Sequence, residues 1–293
     1  MPNARPAPRL ARLALLALAA LTLVPTACAG PEKSKRDKKV ERYGGPVVDL
    51  RAAYDPNDEE SFLKNAANPR IVKVAAVVIA PLGIANARAL NDRVLDLQRR
   101  EAKVLACVSV HPADGPAALE EVDRAAAAGA RLLALDGAAQ RFDLADPRVL
   151  EVITRAGDRG MMVLVEGGSI GDLGAFGRIV ELASRAPRTR IVVGHMALTR
   201  FLDTAVIASL RRRPGWADNL FLDLSGVPTL FARSPIVEDL QWVIRLFPDR
   251  VLFGSDYPHD TSAQALDATE LLGLTEGEQS LIEYANAAKL LGL

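Results

Sequence analysis

Two cysteines in 293 residues exclude a disulfide framework. Cys28 falls in an N-terminal leader, so Cys107 has no partner in the mature chain. Its apolar surroundings mark a buried, inert thiol rather than a nucleophile. Charge of one sign is also missing. The 36 Lys and Arg balance the 36 Asp and Glu, and the basic stripe of a nucleic-acid binder is absent. The apolar run Leu13–Val24, broken by Thr22, falls short of the roughly 20 residues that span a bilayer. No glycine-rich fingerprint follows the first strand pattern, so an open doubly wound sheet with a dinucleotide crevice has no specific support. What the chain does have is apolar residues at 49%, enough for a sizeable core.

The leader is set apart from the rest. Arg5, Arg9 and Arg12 precede the apolar run without any acid, and small residues follow at Thr26–Ala29. This pattern is a secretory signal peptide, expected over residues 1–28. Two cleavage modes fit. Small residues before Cys28 match a lipobox and would make Cys28 a lipidated N-terminus anchored to a membrane. Cleavage after Ala29, at Ala27-Cys28-Ala29, would release the chain to the periplasm or medium. The charged, core-free stretch Pro31–Arg42 reads as a solvated tether, giving a linker over 29–46 and a domain over 47–293.

From Val47 onward, apolar strands alternate with amphipathic helices. The strands are expected at Val47–Ala52, Ile71–Ala80, Val104–Val110, Arg131–Leu135, Met161–Val165, Arg190–Gly194, Leu220–Leu224 and Val251–Gly254. They are rich in Val, Ile and Leu without alternation, as strands buried on both faces are. Helical patterns fill the gaps: Ile84–Glu101, Pro116–Ala128, Pro147–Arg159, Asp172–Arg185, Thr199–Arg213, Ile236–Phe247, Ser262–Leu272 and Glu276–Leu291. Eight strands with intervening helices in about 250 residues predict a (β/α)₈ (TIM) barrel. The same even spacing argues against a two-lobed solute-binding protein.

In such a barrel the chemistry sits at the C-terminal ends of the strands. Those ends carry Arg51, His111, Asp136, Glu166, His195, Asp223 with Ser225, and Asp256. Four stretches then resemble the amidohydrolase superfamily, in particular its amidohydrolase-related hydrolases and decarboxylases. Arg250-Val-Leu-Phe-Gly-Ser-Asp-Tyr-Pro258 looks like the eighth-strand motif, and Ile191-Val-Val-Gly-His-Met196 the sixth. Asn219-Leu-Phe-Leu-Asp-Leu-Ser-Gly226 resembles the seventh strand, and Asn286-Ala-Ala-Lys-Leu-Leu-Gly292 the closing helix. By that resemblance, Asp256 is the carboxylate that binds metal and manages the proton of the attacking water, and His195 either supports a metal ligand or polarises the substrate.

The departures are as informative. The family's first-strand Asp-x-His-x-His becomes Asp49-Leu50-Arg51-Ala52-Ala53, the fourth-strand Lys-x-His becomes Ala134-Leu135-Asp136, and the fifth-strand His becomes Glu166. A zinc site needs three protein donors, so no metal is expected. The alternative is a single divalent ion such as zinc on Glu166, His195 and Asp256. Without an ion the carboxylates would repel one another. Arg51 is expected to supply the missing positive charge by pairing with Glu166 or Asp256, since guanidinium stays charged and forks two bonds.

These residues predict a hydrolase for a small carbonyl or carboxylate substrate. Asp256, His195, Glu166 and Arg51 form its catalytic set, and Arg51, His111, Asp136 and Ser225 contact the substrate. Lacking a Lewis acid, it would favour activated esters or lactones. The alternative is a catalytically inactive barrel serving as a binding or scaffold lipoprotein of the cell envelope. The loop Val227–Pro235, with Phe231 and Arg233, is expected to cover the mouth.

Overall fold

The computed structural model describes residues 42–167, 174–210 and 217–293. The leader, Cys28 and nearly all of the linker lie outside the described residues. The strands are β1 (Val47–Ala53), β2 (Ile71–Val77), β3 (Val104–Ser109), β4 (Leu132–Leu135), β5 (Met162–Val165), β6 (Ile191–Val193), β7 (Leu220–Asp223) and β8 (Val251–Leu252). They form one parallel sheet in sequence order. Backbone bonds from Leu50 N to Phe253 O, Asp256 N to Arg51 O and Ala53 N to Tyr257 O bring β8 back to β1. The sheet is therefore a nearly closed (β/α)₈ barrel, as the pattern of the chain predicts.

Burial on both faces explains the unbroken apolar strands. Val48, Leu50, Ala75, Leu105, Cys107, Leu132, Met162, Leu164, Val192, Phe221 and Leu252 fill the barrel interior. Their alternates, such as Val74, Ala76, Val108, Leu133, Val163 and Leu222, pack outward on the helices. Cys107 is a buried free thiol whose pKa burial pushes up to about 12, matching the expectation of an inert residue.

Helices end where the sequence signals stop them. Ile84–Arg100, Pro116–Ala127, Pro147–Asp158, Ala175–Arg185, Val237–Leu246 and Ser262–Glu270 fall within a few residues of the expected spans. Three short α-helices among the described residues were not anticipated: Glu59–Ala66, capped by Asp58 on Ser61 N, Gly137–Gln140, and Val227–Phe231. The chain closes on Glu276–Leu291, which is helical throughout with a π-turn at Leu281–Ala285. Its Leu290 and Leu291 carbonyls accept bonds from Arg190 and Arg131 at the N-terminal ends of the strands. This helix therefore braces the barrel floor, and the opposite end is left open for a site.

Two irregularities aim residues at that open end. On β1 the register slips between Asp49 and Ala52, a bulge that lets the neighbours Leu50 and Arg51 both face the interior. Asp49 turns the other way and is fully buried. Its Oδ1 accepts the backbone N–H groups of Ser255 and Arg51, stitching β8 to β1. Burial raises its pKa to about 7, and its Oδ2 has no hydrogen-bond partner among the described residues. The second irregularity follows β6. His195, Met196, Ala197 and Leu198 take φ of 51, 47, 61 and 50°, a left-handed turn that costs L-residues roughly 1–2 kcal/mol each. The helix expected from Thr199 is a 3₁₀ stretch through Thr204 before the α-helix Ala205–Leu210, because the chain must first recover from this turn.

Candidate active site

Arg51 is the hub of the open end. Its Nε donates to Asp223 and its Nη1 to Glu166 at 3.3 Å. Side-chain exposure is 14% for Arg51, 15% for Glu166 and 1% for Asp223. The two acids hold the guanidinium charged, raising its pKa further against the cost of burial. Glycines make room for this cluster. A Cβ on Gly194 would stand 2.6 Å from Arg51 Nη2, and one on Gly254 would stand 2.8 Å from both Arg51 Cβ and Asp223 Oδ1. Glycine at the ends of β6 and β8 is thus a packing requirement of the charge cluster.

His195 sits above it. Nδ1 lies 2.9 Å from the Ser225 carbonyl and 3.0 Å from Ser225 Oγ. A carbonyl accepts only, so Nδ1 carries a proton. Nε2 lies 3.2 Å from Glu166 Oε2, which calls for a second proton. Burial opposes the charge, but the bond to Glu166, with the further pull of Glu166 and Asp223, outweighs it and the repulsion of Arg51. The pKa is raised to about 9, and the ring is an imidazolium at neutral pH. Ser225 Oγ also donates to Asp223 at 2.7 Å. Arg51, Asp223, Ser225, His195 and Glu166 thus form one connected hydrogen-bonded set.

Asp256 faces His195 without bonding it. Its Oδ1 is 3.9 Å from Nε2. The residue is held at φ 64°, with its backbone N–H on the Arg51 carbonyl. A left-handed aspartate is tolerated where context fixes it, and such outliers cluster at functional sites. Burial and the neighbouring Asp223 raise its pKa, against the pull of His195 and Arg51. This moves the carboxylate toward a stronger base, the direction a general base requires.

Asp136, Ala138, Glu166, His195, Leu198, Gly226, Thr229, Leu230, Asp256, His259 and Asp260 line a cleft of about 550 Å³. Of the residues singled out from sequence, Glu166, His195, Asp256 and Asp136 meet there. Arg51 and Ser225 lie beneath, joined to the lining by hydrogen bonds to Glu166 and His195. His111 is held apart. Its Nε2 faces the Gln140 carbonyl at 2.8 Å and its Nδ1 accepts from Ala113 N, so both nitrogens are used in shaping loops. Asp136 caps Ala138 N and Ala139 N through Oδ1. The loop after β7 does reach the mouth, but with Thr229 and Leu230. Phe231 stacks on Phe201 instead, and Arg233 is exposed outside the lining. Besides Leu198, His259 and Asp260 in the lining, sequence reasoning left Asp223 out of the site. Its signal was present, as a polar end to an apolar strand with Ser225 two residues on.

Comparison with known proteins bears on this arrangement. The amidohydrolase family model matches residues 23–293. No curated protein sequence matches. Among solved structures, 2,6-dihydroxybenzoate decarboxylase from Rhizobium aligns at TM-score 0.66 and 17% identity, over 85% of this chain and 99% of that one. A 5-carboxyvanillate decarboxylase from Novosphingobium aromaticivorans, complexed with manganese and 4-hydroxy-3-methoxy-5-nitrobenzoic acid, aligns at 0.63 and 15%, over 87% and 99%. A protein described as a probable 2-pyrone-4,6-dicarboxylic acid hydrolase from Acinetobacter baumannii, with citric acid bound, aligns at 0.61 and 16%, over 84% and 99%. Those likenesses establish the shared barrel. The chain belongs to the amidohydrolase family.

Proposed function

We propose that this family member is a metal-independent hydrolase of small carbonyl compounds, acting on activated esters or lactones. The observation that carries this is the Arg51 guanidinium, bonded to Glu166 and Asp223 at the strand ends where the family resemblance implies metal ligands. The residues present do not suit a divalent cation. A permanent positive charge already satisfies two of the acids. Both nitrogens of His195 are engaged, Nδ1 by Ser225 and Nε2 by Glu166, whereas a ligand imidazole needs a free nitrogen to face the ion. Among the described residues no group of three or more His, Cys, Asp or Glu is placed to hold a metal.

The chemistry is divided between two cleft residues. Asp256 takes a proton from water as its oxygen bonds to the substrate carbonyl carbon. His195 Nε2–H stabilises the oxyanion, then protonates the leaving alkoxide as the C–O bond breaks. Proton return from Asp256 to His195 restores both groups. Glu166 and Ser225 orient the imidazolium, and Arg51 keeps Glu166 and Asp223 ionised. Of the two expected substrate chemistries, the carbonyl is the one these groups serve. A carboxylate finds no free cation in the described lining.

The test is release of 4-nitrophenol from 4-nitrophenyl butyrate. Turnover unaffected by a chelator and lowered roughly 10²–10⁴-fold in Asp256→Asn, the range for losing a general base, is expected. Turnover that zinc restores after chelation would overturn the metal-free reading. Equal rates in wild type and Asp256→Asn would leave a non-catalytic binding barrel. The leader pattern supports action in the cell envelope through a lipid on Cys28. Membrane association abolished by Cys28→Ser is the expected result.

A further inference from the structure

Charge is distributed unevenly along the barrel axis. Arg70, Lys103, Arg131, Arg190 and Arg250 each stand immediately before a strand, so the parallel topology gathers them at the floor. Acids answer two of them, Glu283 for Arg70 and Asp249 for Arg250. The others are answered differently. Arg131 donates to the Leu291 carbonyl at 2.7 Å, and Arg190 to the Leu290 carbonyl at 2.7 Å and that of Gly160 at 3.0 Å. Lys73 on β2 donates to the Ala102 carbonyl at 2.7 Å. A carbonyl satisfies an N–H donor but leaves the positive charge uncancelled. Lys103 and Lys289 are exposed and form no ion pair among the described residues. The mouth has the opposite sign. Asp136, Glu166, Asp256 and Asp260 line the cleft, and no described Lys or Arg does. A second feature points to the same end. Arg42 pairs there with Glu270 and Asp267, and the Tyr43 ring covers Arg70, so the linker joins the barrel at its floor. Residues 29–41 of that linker carry Lys33, Lys35, Arg36, Lys38 and Lys39 against Glu32, Asp37 and Glu41. Cations that follow helix C-termini answer the helix dipoles, which accounts for part of the floor pattern. It does not account for a basic linker joined at the same end.

We propose that the barrel floor is a docking surface for an anionic phospholipid membrane, and that docking turns the mouth away from the bilayer. This goes beyond the hydrolase reading, and it rests on the export reading only for a membrane being at hand. Each Lys or Arg close to an anionic bilayer strengthens binding about fivefold, within a Debye length of the surface. A single lipid chain holds a protein only marginally, and a basic patch is the second signal that makes anchoring stable. The acids of the mouth are repelled by the same surface, so one orientation is selected. A mouth held toward solvent admits soluble substrates rather than bilayer lipids.

The test is co-sedimentation of the chain left by leader removal, residues 29–293, so that no lipid anchor contributes. The vesicles are phosphatidylcholine alone, or an equimolar mixture with phosphatidylglycerol, at low salt. Binding to the mixed vesicles is expected to be at least about tenfold tighter, and to fade toward physiological salt. That fading agrees with the release expected of Cys28→Ser. Lys103→Gln and Lys289→Gln, at exposed side chains, should each weaken binding about fivefold. Arg233→Gln, at an exposed residue of the mouth end, should leave it unchanged. Equal binding to both vesicles overturns the proposal. So does binding lost on joint Lys38→Gln and Lys39→Gln but untouched by Lys103→Gln and Lys289→Gln, since the linker alone would then make the contact. Weakening by Arg233→Gln as large as by Lys103→Gln denies the orientation. Equal affinity for double-stranded DNA marks a general polyanion surface and overturns the lipid assignment. Hydrolysis of 4-nitrophenyl butyrate is read separately and is expected at the wild-type rate in every variant. Docking without turnover leaves this proposal standing and the hydrolase fallen, and turnover without docking does the reverse.

Discussion

The barrel holds an arginine–carboxylate centre at each end, and the two are built from the same parts to different effect. At the floor, Arg70 pairs with Glu283, a carboxylate with no exposure. The Tyr43 ring covers the guanidinium with its centroid 5.3 Å away. Arg70 bonds a single carboxylate there, and the Arg42–Glu270 pair acts on Glu283 from nearby. At the mouth, Arg51 is shared by Asp223 and Glu166, His195 adds a second cation, and Asp256 stands unbonded above a cleft of about 550 Å³. Chemistry follows from this difference. A pair matched charge for charge leaves no free acid or base, whereas at the mouth the His195 imidazolium and the unbonded Asp256 leave both a proton donor and a base at the cleft. The mouth also carries the left-handed backbone at His195–Leu198 and Asp256, strain of the kind functional sites store.

Removing each arginine should break the comparison most visibly. Arg51→Met leaves Asp223 and Glu166 facing each other with Asp256 nearby. Stripping one partner from a buried pair costs about 3–5 kcal/mol, and that loss is expected in urea unfolding at pH 7.5. Arg70→Met should cost roughly half as much. Burial already pushes the Glu283 carboxyl up to about 7, so it escapes by taking one proton, an option two facing acids share poorly. Equal losses would mean that the mouth is only another structural pair.

Sequence made the frame legible because burial on both faces leaves its mark residue by residue. Every strand was found within three residues, and the strand ends pointed at Glu166, His195 and Asp256. Resemblance ordered those residues; it did not reveal their partners. The bulge at Leu50–Arg51 comes from pairing between β1 and β2, not from local propensity, so the true partners of Arg51 could not be read. For that reason Asp223, though noted at its strand end, was not recognised as the partner of Arg51. The left-handed turn at His195 was hidden too. Met196, Ala197 and Leu198 are good helix formers, and tertiary contact overrides them. His111 shows the opposite error, since a polar residue at a strand end can serve loops alone.

The two centres should also part company with pH. For Glu283 the folded carboxyl lies near 7, above its ordinary 4.5, so the folded state holds the proton more tightly. Its contribution is present below about 4.5 and is lost as pH rises to about 7. Asp49 at the β1–β8 seam, also raised to about 7, shares that window. For His195 the folded value near 9 exceeds the ordinary 6.5. Its contribution is complete below 6.5 and is lost as pH climbs through about 9. Each group should contribute on the order of 3–4 kcal/mol, so the lower window, shared by Glu283 and Asp49, should cost more than the upper one in unfolding free energy measured at pH 4.5, 7 and 9.5. Glu283→Gln should flatten part of the lower slope, and His195→Gln the upper one. A single slope removed by either variant would deny that the ends titrate apart.

The smallest effect asks whether the mouth is packed as tightly as its charges suggest. Gly194 has an ordinary φ, so its need for glycine is steric alone. A Cβ there would meet Arg51 Nη2 at 2.6 Å and Glu166 Oε2 at 3.1 Å. An arginine tip normally swings aside from such a methyl. This one is tied at Nε by Asp223 and at Nη1 by Glu166, so relief means breaking a charged bond. Gly194→Ala should therefore destabilise by about 1–2 kcal/mol, the lower part of the overpacking range. Gly177, inside the helix Ala175–Arg185 with no atom near its absent Cβ, is the control. Gly177→Ala should stabilise by about 0.5–1 kcal/mol. The decisive measurement is the pair Gly194→Ala and Arg51→Met combined. With the guanidinium gone the methyl has room, and the double variant should be less destabilised than the sum of the two single ones. Strict additivity would mean that the arginine is free to move, and that the mouth is looser than a cluster holding His195 and Asp256 in working geometry must be.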